Sequence, residues 1–294
     1  MRDLRFSDQQ SPHSQPTVRL AEFAIGMAAA FLLSVSAPAY AQDADAAARE
    51  LSNPATSLAS LGNKIEVRTY DGSLPGAGDQ LGVKYIFQPV LPFVLDSGDK
   101  VIFRPAFNVP IDEPFFDNTA NSFDSGGGFG DIGFDLLYSP KSESKFNFGV
   151  GLVGGIPTGT NENLRSGNWT AGPEVFGAYI DDWGLVGSLV THSWDVAGWG
   201  PTTNLTSMQY FYFLSLGDGW QLGAGPTATY NWNAKSGDRW NVPVGLGVAK
   251  TMSLFGMLWK FNVEADYSVV HQDSFGPEWL FKFNVTPVIA NPFQ

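Results

Sequence analysis

Cysteine is absent from the 294 residues, histidine occurs only three times, and the 17 basic residues are outnumbered by 29 acidic ones. Without cysteine the chain can form no disulfide, no thiolate nucleophile and no cysteine-ligated zinc site. The formal net charge of −12 argues against nucleic acid as a partner, because phosphates require a basic surface. The histidines lack the spacing of metal ligands, so we expect no metal and no cofactor.

Long hydrophobic runs are also missing after residue 41, where no stretch of about 18 apolar residues could cross a bilayer as a helix. Residues 1–41 have the features of a signal peptide. Their leader is basic, residues 23–35 are apolar, and residues 39–41 (Ala-Tyr-Ala) resemble a signal-peptidase site. We therefore expect export and a mature chain that begins near Gln42, with a retained membrane anchor as the alternative.

The remaining chain divides into a lead segment at 42–60, which we expect in the periplasm, and residues 61–294, where polarity alternates with period two. In the clearest segment, Trp259, Phe261 and Val263 alternate with Lys260 and Asn262. About twelve such segments occur, including 146–156, 168–180 and 220–232, each near the length of a bilayer-spanning strand. They predict an all-β fold: a transmembrane antiparallel up-and-down β-barrel of about 12 strands, which leaves no unpaired sheet edge in lipid.

The links between these segments alternate between short Gly- and Asp-rich turns and longer polar loops. Bacterial barrels keep short turns periplasmic and long loops extracellular, so we expect an outer-membrane protein with both termini in the periplasm. The longest link, 110–128, contains three consecutive glycines that would let it fold back over the mouth of the barrel.

Charged side chains recur on the face opposite the apolar set. On the lipid side at mid-depth, Arg or Lys would cost about 2–4 kcal/mol each, so we expect this face to line the lumen. The alternative is a charge network that merely fills and rigidifies the barrel. The candidate lumen-lining residues are Glu66, Arg68, Lys84, Arg104, Asp131, Asp135, Glu174, Lys260, Glu264, Asp266 and Lys282.

Three patterns typical of enzymes or nucleotide sites are weak here. Residues 149–154 match a dinucleotide-binding glycine pattern, but a proline follows where a helix should begin. His192 and Ser193 are adjacent on a predicted strand and should face opposite ways. His271 lies near Asp273 and Ser274 in a predicted loop without an oxyanion element. We therefore expect no catalytic site and no enzymatic activity.

Several ordered motifs resemble a known family. They lie at residues 87–93, 128–133, 166–173, 236–245 and 276–279. The chain resembles the outer-membrane family labelled "MetA-pathway of phenol degradation", whose members are often named neuromedin U or transporters. The resemblance spans nearly all of the chain after the leader. It implies passage of aromatic or other small hydrophobic molecules.

These observations predict an outer-membrane channel or porin-like transporter for passive passage of small molecules, with aromatic or hydrophobic compounds as the implied class. The expected partners are outer-membrane lipid, the barrel-assembly machinery and small-molecule solutes. Two alternatives remain open. One is a non-conducting structural or adhesion barrel that acts through its loops, and the other is a lipid-modifying enzyme of the outer membrane.

Overall fold

A computed structural model describes residues 44–293, and the predicted signal peptide lies outside this range. Helix α1, Ala44–Ser52, is followed by β-strands that pair antiparallel, and β1 pairs with β14. The strands are β1 Ser60–Asp71, β2 Leu81–Val94, β3 Lys100–Asp117, β4 Ser122–Gly126, β5 Ile132–Ser139, β6 Phe146–Ile156, β7 Asn168–Asp181, β8 Gly184–Gly198, β9 Asn204–Gly217, β10 Trp220–Ala224, β11 Thr227–Asn231, β12 Trp240–Leu254, β13 Met257–Val270 and β14 Gly276–Pro287. Within residues 44–293, no helix is long and apolar enough to span a bilayer.

The barrel wall contains twelve strands. Both β10 and β11 pair with β9 on one side and β12 on the other, so they are two halves of one interrupted wall strand. β4 pairs with the end of β3 outside the closed sheet. Pairing of β1 with β14 closes the remaining strands into a ring. The predicted twelve-stranded antiparallel barrel is therefore confirmed.

The two ends of the barrel differ in the length of their connections. At one end the turns are short: Asp218 and Gly219 have φ of 52° and 77°, and Phe255 and Gly256 have φ of 54° and 77°. Two consecutive positive φ angles match the twist of a two-residue hairpin. At the other end lie the longer links, such as the one between β6 and β7. We refer to these as the turn end and the loop end.

The link at 110–128 is more ordered than the sequence indicates. β3 continues through it to Asp117, and residues 113–117 pair with β4 to form a hairpin beyond the wall. Phe123 in this hairpin packs on Phe275, which precedes β14, with ring centroids 4.6 Å apart. The hairpin ends at Gly126, the first of the three glycines. Through Phe123, the 110–128 segment packs on a neighbouring loop.

Alternation along each strand separates an outer apolar face from a buried inner face. On β13, Val263 is 51% exposed whereas the adjacent Glu264 is 3% exposed. On β7, Val175 is 56% exposed and the adjacent Glu174 is 1% exposed. Successive side chains on a strand point to opposite faces, so the exposed set forms the outer surface, which the sequence predicts to face lipid, and the buried set faces the interior.

The lead segment enters the turn end of the barrel. Ala47 and Ala48 of α1 are buried, and the small side chains permit close approach to the wall. Asp45 Oδ1 accepts a hydrogen bond from Gly219 N at 2.6 Å, and Arg49 Nη1 donates to the carbonyl of Asp182 at 3.3 Å. Both partners lie in turns. We refer to residues 44–56 as the plug.

The wall strand formed by β10 and β11 is interrupted at Gly225 and Pro226. Proline donates no backbone hydrogen bond, which is compatible with a break in the ladder. On β12, the carbonyls of Pro243 and Gly245 bind the hydroxyls of Tyr210 and Tyr212, which reach over the break from β9. These tyrosines satisfy carbonyl groups opposite the interruption.

Candidate functional site

Lys282 is the centre of a buried charge cluster inside the barrel. Its Nζ lies 2.8 Å from Glu264 Oε1 and 2.8 Å from Asp266 Oδ2. It also donates to the carbonyl of Gly225 at 3.2 Å, and the Gly225 N–H donates to Glu264 at 2.9 Å. β14 and β10 are not neighbours in the wall, so Lys282 reaches across the interior to the interrupted strand.

Arg104, on β3, makes similar contacts with carboxylates on β5 and β7. Its Nε donates to Asp135 Oδ1 at 2.6 Å, and its Nη2 donates to Glu174 Oε1 at 3.3 Å. The Glu174 side chain is fully buried on β7, which is separated from β3 by β5 and β6. This contact therefore also crosses the interior.

A third cluster lies on β1 and β3. Arg68 binds Glu66 and also contacts Glu113 Oε1 at 3.5 Å. Tyr70 donates its hydroxyl to the same Glu113 oxygen at 2.7 Å. Lys84 lies on β2 opposite Glu66 in the strand register. Glu113 is not among the candidates from the sequence, because it lies in the part of β3 for which the sequence predicts a loop.

Asp131 has a different position from the other candidates. It precedes β5, and its carboxylate accepts hydrogen bonds from Gly159 N at 2.8 Å and Ser166 N at 2.7 Å. Both donors belong to the long link between β6 and β7. Asp131 thus holds a loop at the loop end, whereas the ten other candidates lie on wall strands.

One part of the interior is apolar, which period-two alternation did not predict. The buried side chains come from β3, β5, β7, β8 and β9 and pack around Ala55 of the plug. Because these strands carry apolar residues on both faces, the sequence alone did not separate their inner face from their outer one. The members are Ile102, Leu137, Phe176, Ala178, Leu185, Leu189, Phe211 and Phe213.

A cavity of about 250 Å³ lies between the apolar and the charged parts of the interior. Residues 51–54 and Thr56 of the plug line it toward the turn end. Phe211 and Phe213 line it from β9, and Lys260, Asn262 and other polar side chains line it from β13 and β14. The cavity therefore has an aromatic side and a polar side.

The residues weighed as catalytic are held by other contacts. His192 Nδ1 lies 2.7 Å from Thr206 Oγ1 and contacts the Trp194 ring. Ser274 Oγ donates to Asp238 at 2.7 Å, and hydrogen bonds from Ser274 hold the Asp238 pKa below its usual value. Across residues 44–293, no group of three or more His, Asp or Glu side chains is arranged to hold a metal ion.

Comparison with known proteins identifies the fold. No family model and no curated protein matches the chain. It is similar to an outer-membrane channel from Pseudomonas putida F1, with a TM-score of 0.54 and 16% identity over 79% of this chain and 95% of that one. The NanC porin matches with a TM-score of 0.47 and 10% identity, over 79% of this chain and 99% of the porin. The Pseudomonas putida toluene transporter TodX matches with a TM-score of 0.38 and 10% identity, over 86% of this chain and 94% of the transporter. The chain thus has the fold of an outer-membrane channel barrel.

Proposed function

We propose that the protein is an outer-membrane channel through which small molecules diffuse passively. The observation that carries this proposal is the cavity of about 250 Å³ in the interior of the barrel, which the neighbouring charged side chains do not fill. A purely structural barrel of this size gains more from a packed interior, since cavities forfeit dispersion contacts. Both termini would lie in the periplasm, with the turn end facing it.

The plug is the gate of this proposed channel. Hydrogen bonds of Asp45, Arg49 and Ser52 hold it at the turn end, together with the burial of Ala47 and Ala55. Arg49 also lies 3.8 Å from the exposed Asp182 carboxylate, and a pair of this kind contributes only about 0–1 kcal/mol. Opening of the proposed channel requires the plug to leave these contacts.

The apolar part of the interior supports small aromatic or hydrophobic compounds as the transported class. Phe211 and Phe213 line the cavity with aromatic rings, and Phe176 stacks on Phe211 with ring centroids 6.3 Å apart. Aromatic surfaces favour flat apolar solutes.

Planar-bilayer conductance of the purified barrel tests the channel and its gate together. The chain contains no cysteine, so an Arg49→Cys, Asp182→Cys variant offers one pair of targets to a bifunctional thiol reagent whose linker contains a disulfide. Crosslinking should lower the conductance, and reduction should restore it. Each single-cysteine variant, treated in the same way, is the matched control, and its conductance should not change on treatment.

The plug also favours a second candidate function, a non-conducting structural or adhesion barrel. A plug that never leaves the turn end would keep the barrel closed. A variant that lacks residues 44–56 separates the two. If neither the parent nor this variant conducts ions or admits solutes to liposomes, the channel proposal is wrong. In that case the loop end, including the hairpin of β3 and β4, becomes the functional surface.

We propose no catalytic role for the histidines after residue 41. His192 faces outward beside Trp194, and His271 Nδ1 lies 3.0 Å from the carbonyl of Gln272. A hydrolase triad needs a histidine within hydrogen-bond reach of the nucleophile and a third group that orients it, whereas His192 bonds Thr206 and Ser274 bonds Asp238. A His192→Ala, His271→Ala variant should leave the lipid composition of cells that carry it unchanged, and altered lipids would revive the enzyme alternative.

A further inference from the structure

Lys260 differs from Lys282 and Arg104 in its partners. Lys282 and Arg104 each contact two carboxylates, at 2.6–3.3 Å. None of the ion pairs formed within 4.0 Å by residues 44–293 includes Lys260, although its side chain is only 8% exposed. A buried ammonium without an anionic partner is unfavourable, so this position favours an anion that approaches from the cavity.

The neutral contacts of Lys260 orient its ammonium group. Its Nζ donates to Ser52 Oγ of the plug and to Gln221 Oε1 at 3.0 Å. The same nitrogen lies 4.9 Å from the centroid of the Phe213 ring. These contacts place the charge at the boundary between the polar and the aromatic sides of the cavity.

The aromatic side adjoins this charge directly. Phe211 and Phe213 are both buried and line the cavity from β9. Aromatic rings contact other rings in stacked or edge-to-face arrangements. A ligand with one ring and one carboxylate would therefore satisfy both sides of the cavity at once.

Two amide groups complete the polar side. Asn262 and Asn284 line the cavity, and their Oδ1 atoms have no hydrogen-bond partner among residues 44–293. Buried acceptors are normally paired, so these oxygens can accept a hydrogen bond from a hydroxyl or amino substituent on the ring of a ligand, and they do not themselves bind its carboxylate. The volume of about 250 Å³ lies just below the roughly 300–1,000 Å³ of sites for drug-sized molecules, which restricts the ligand to about one ring.

We propose that this cavity is a binding site for a small aromatic carboxylate, whose carboxylate pairs with Lys260 and whose ring packs against Phe211 and Phe213. The site deepens the proposed channel function, on which its role in transport rests, by naming the class of solute that pauses above the plug. A neutral aromatic molecule would fill the ring position but leave the Lys260 charge without a counter-ion.

Binding of benzoate to the purified full-length barrel in detergent, measured by titration calorimetry, tests the site. Benzamide keeps the ring without the charge, and acetate keeps the charge without the ring. Benzoate should bind about tenfold or more tightly than either, because each loses one of the two contacts. Equal affinity of benzoate and benzamide, or of benzoate and acetate, would overturn the proposal without use of any variant.

Lys260→Met removes the charge and keeps the length of the side chain. It should weaken benzoate binding about tenfold or more and leave benzamide binding unchanged, and Lys260→Arg should restore part of the loss. Lys250→Met is the matched control, because Lys250 binds the Asp218 carbonyl and lies over the Trp220 ring, outside the cavity. Unaltered benzoate affinity in a folded Lys260→Met barrel would contradict the assignment.

The site and the channel fail in different ways. If benzoate does not bind but the barrel conducts, this site is wrong and the channel proposal stands. If benzoate binds with the expected selectivity but no solute permeates with or without residues 44–56, the channel is wrong and the site stands.

Discussion

Removal of the Lys282 charge should destabilise the barrel strongly. Met at this position keeps a similar volume but leaves two carboxylates, with side chains 3% and 1% exposed, without their cation. Loss of one partner of a buried ion pair costs about 3–5 kcal/mol. Glu264 would keep the hydrogen bond from Gly225 N, whereas Asp266 meets Lys282 at ion-pair distance without hydrogen-bond geometry. The loss at Asp266 therefore has no compensation, and we expect about 3 kcal/mol or more.

Equilibrium urea unfolding of the refolded barrel in vesicles, followed by tryptophan fluorescence, measures this loss. A loss of about 3 kcal/mol changes the unfolding equilibrium more than a hundredfold. Lys141→Met is the control with the same substitution, because Lys141 and Glu143 form a pair whose side chains are 59% and 90% exposed. That variant should unfold like the parent.

A compensating variant checks the electrostatic cause. Glu264→Gln and Asp266→Asn, added to Lys282→Met, remove both isolated charges and should recover most of the lost stability. The reasoning is refuted if Lys282→Met is as stable as the parent. It is also refuted if the triple variant is less stable than the single one, because the damage would then come from shape and not from charge.

Three further predictions concern the wall and the loops. Gly172→Ala should prevent assembly of the barrel, because a Cβ at residue 172 would lie 1.6 Å from a carbonyl oxygen of β8. Gly177→Ala should be tolerated, because a Cβ at residue 177 meets no described atom within 4 Å. Heat-modifiable migration on gels measures assembly. Hydrogen bonds from Ser274 lower the pKa of Asp238 in the folded protein. Their contribution to stability is complete above the ordinary pKa of 3.8 and is lost as the pH falls through the lower pKa of the folded state. The ratio of pepsin cleavage of these loops in the parent to that in Asp238→Asn should therefore rise as the pH falls below about 4. Val263→Arg, on the lipid face, should cost about 2–4 kcal/mol in urea unfolding within vesicles.

The wall strands could be predicted from the sequence because one face of each strand forms the apolar outer surface and the other faces the largely polar interior, which gives a period of two. The segment predicted at 146–156 has the limits of β6, and the segment at 168–180 is one residue shorter than β7. The extension of β3 was missed because Pro110 and Pro114 are unfavourable in strand interiors. The interruption at Gly225 lay inside a segment predicted as one continuous strand.

The candidate site was only partly predictable, for two physical reasons. The charged residues that meet across the interior could be assigned to one face, but their partners depend on barrel curvature, as in the contact of Arg104 with Glu174. Phe211 and Phe213 alternate with outward apolar residues, so their inner position leaves no periodic signal. Helix α1 has only nine residues and depends on packing within the barrel for its stability.

The measurement that tests the central claim most directly is solute flux into liposomes that contain either the parent barrel or the variant without residues 44–56. The account predicts measurable entry of small neutral and aromatic solutes through the parent, and faster entry through the variant because the turn end is open. Equal rates would show that the plug is not the gate. Liposomes that stay impermeable with both folded proteins would contradict the channel itself.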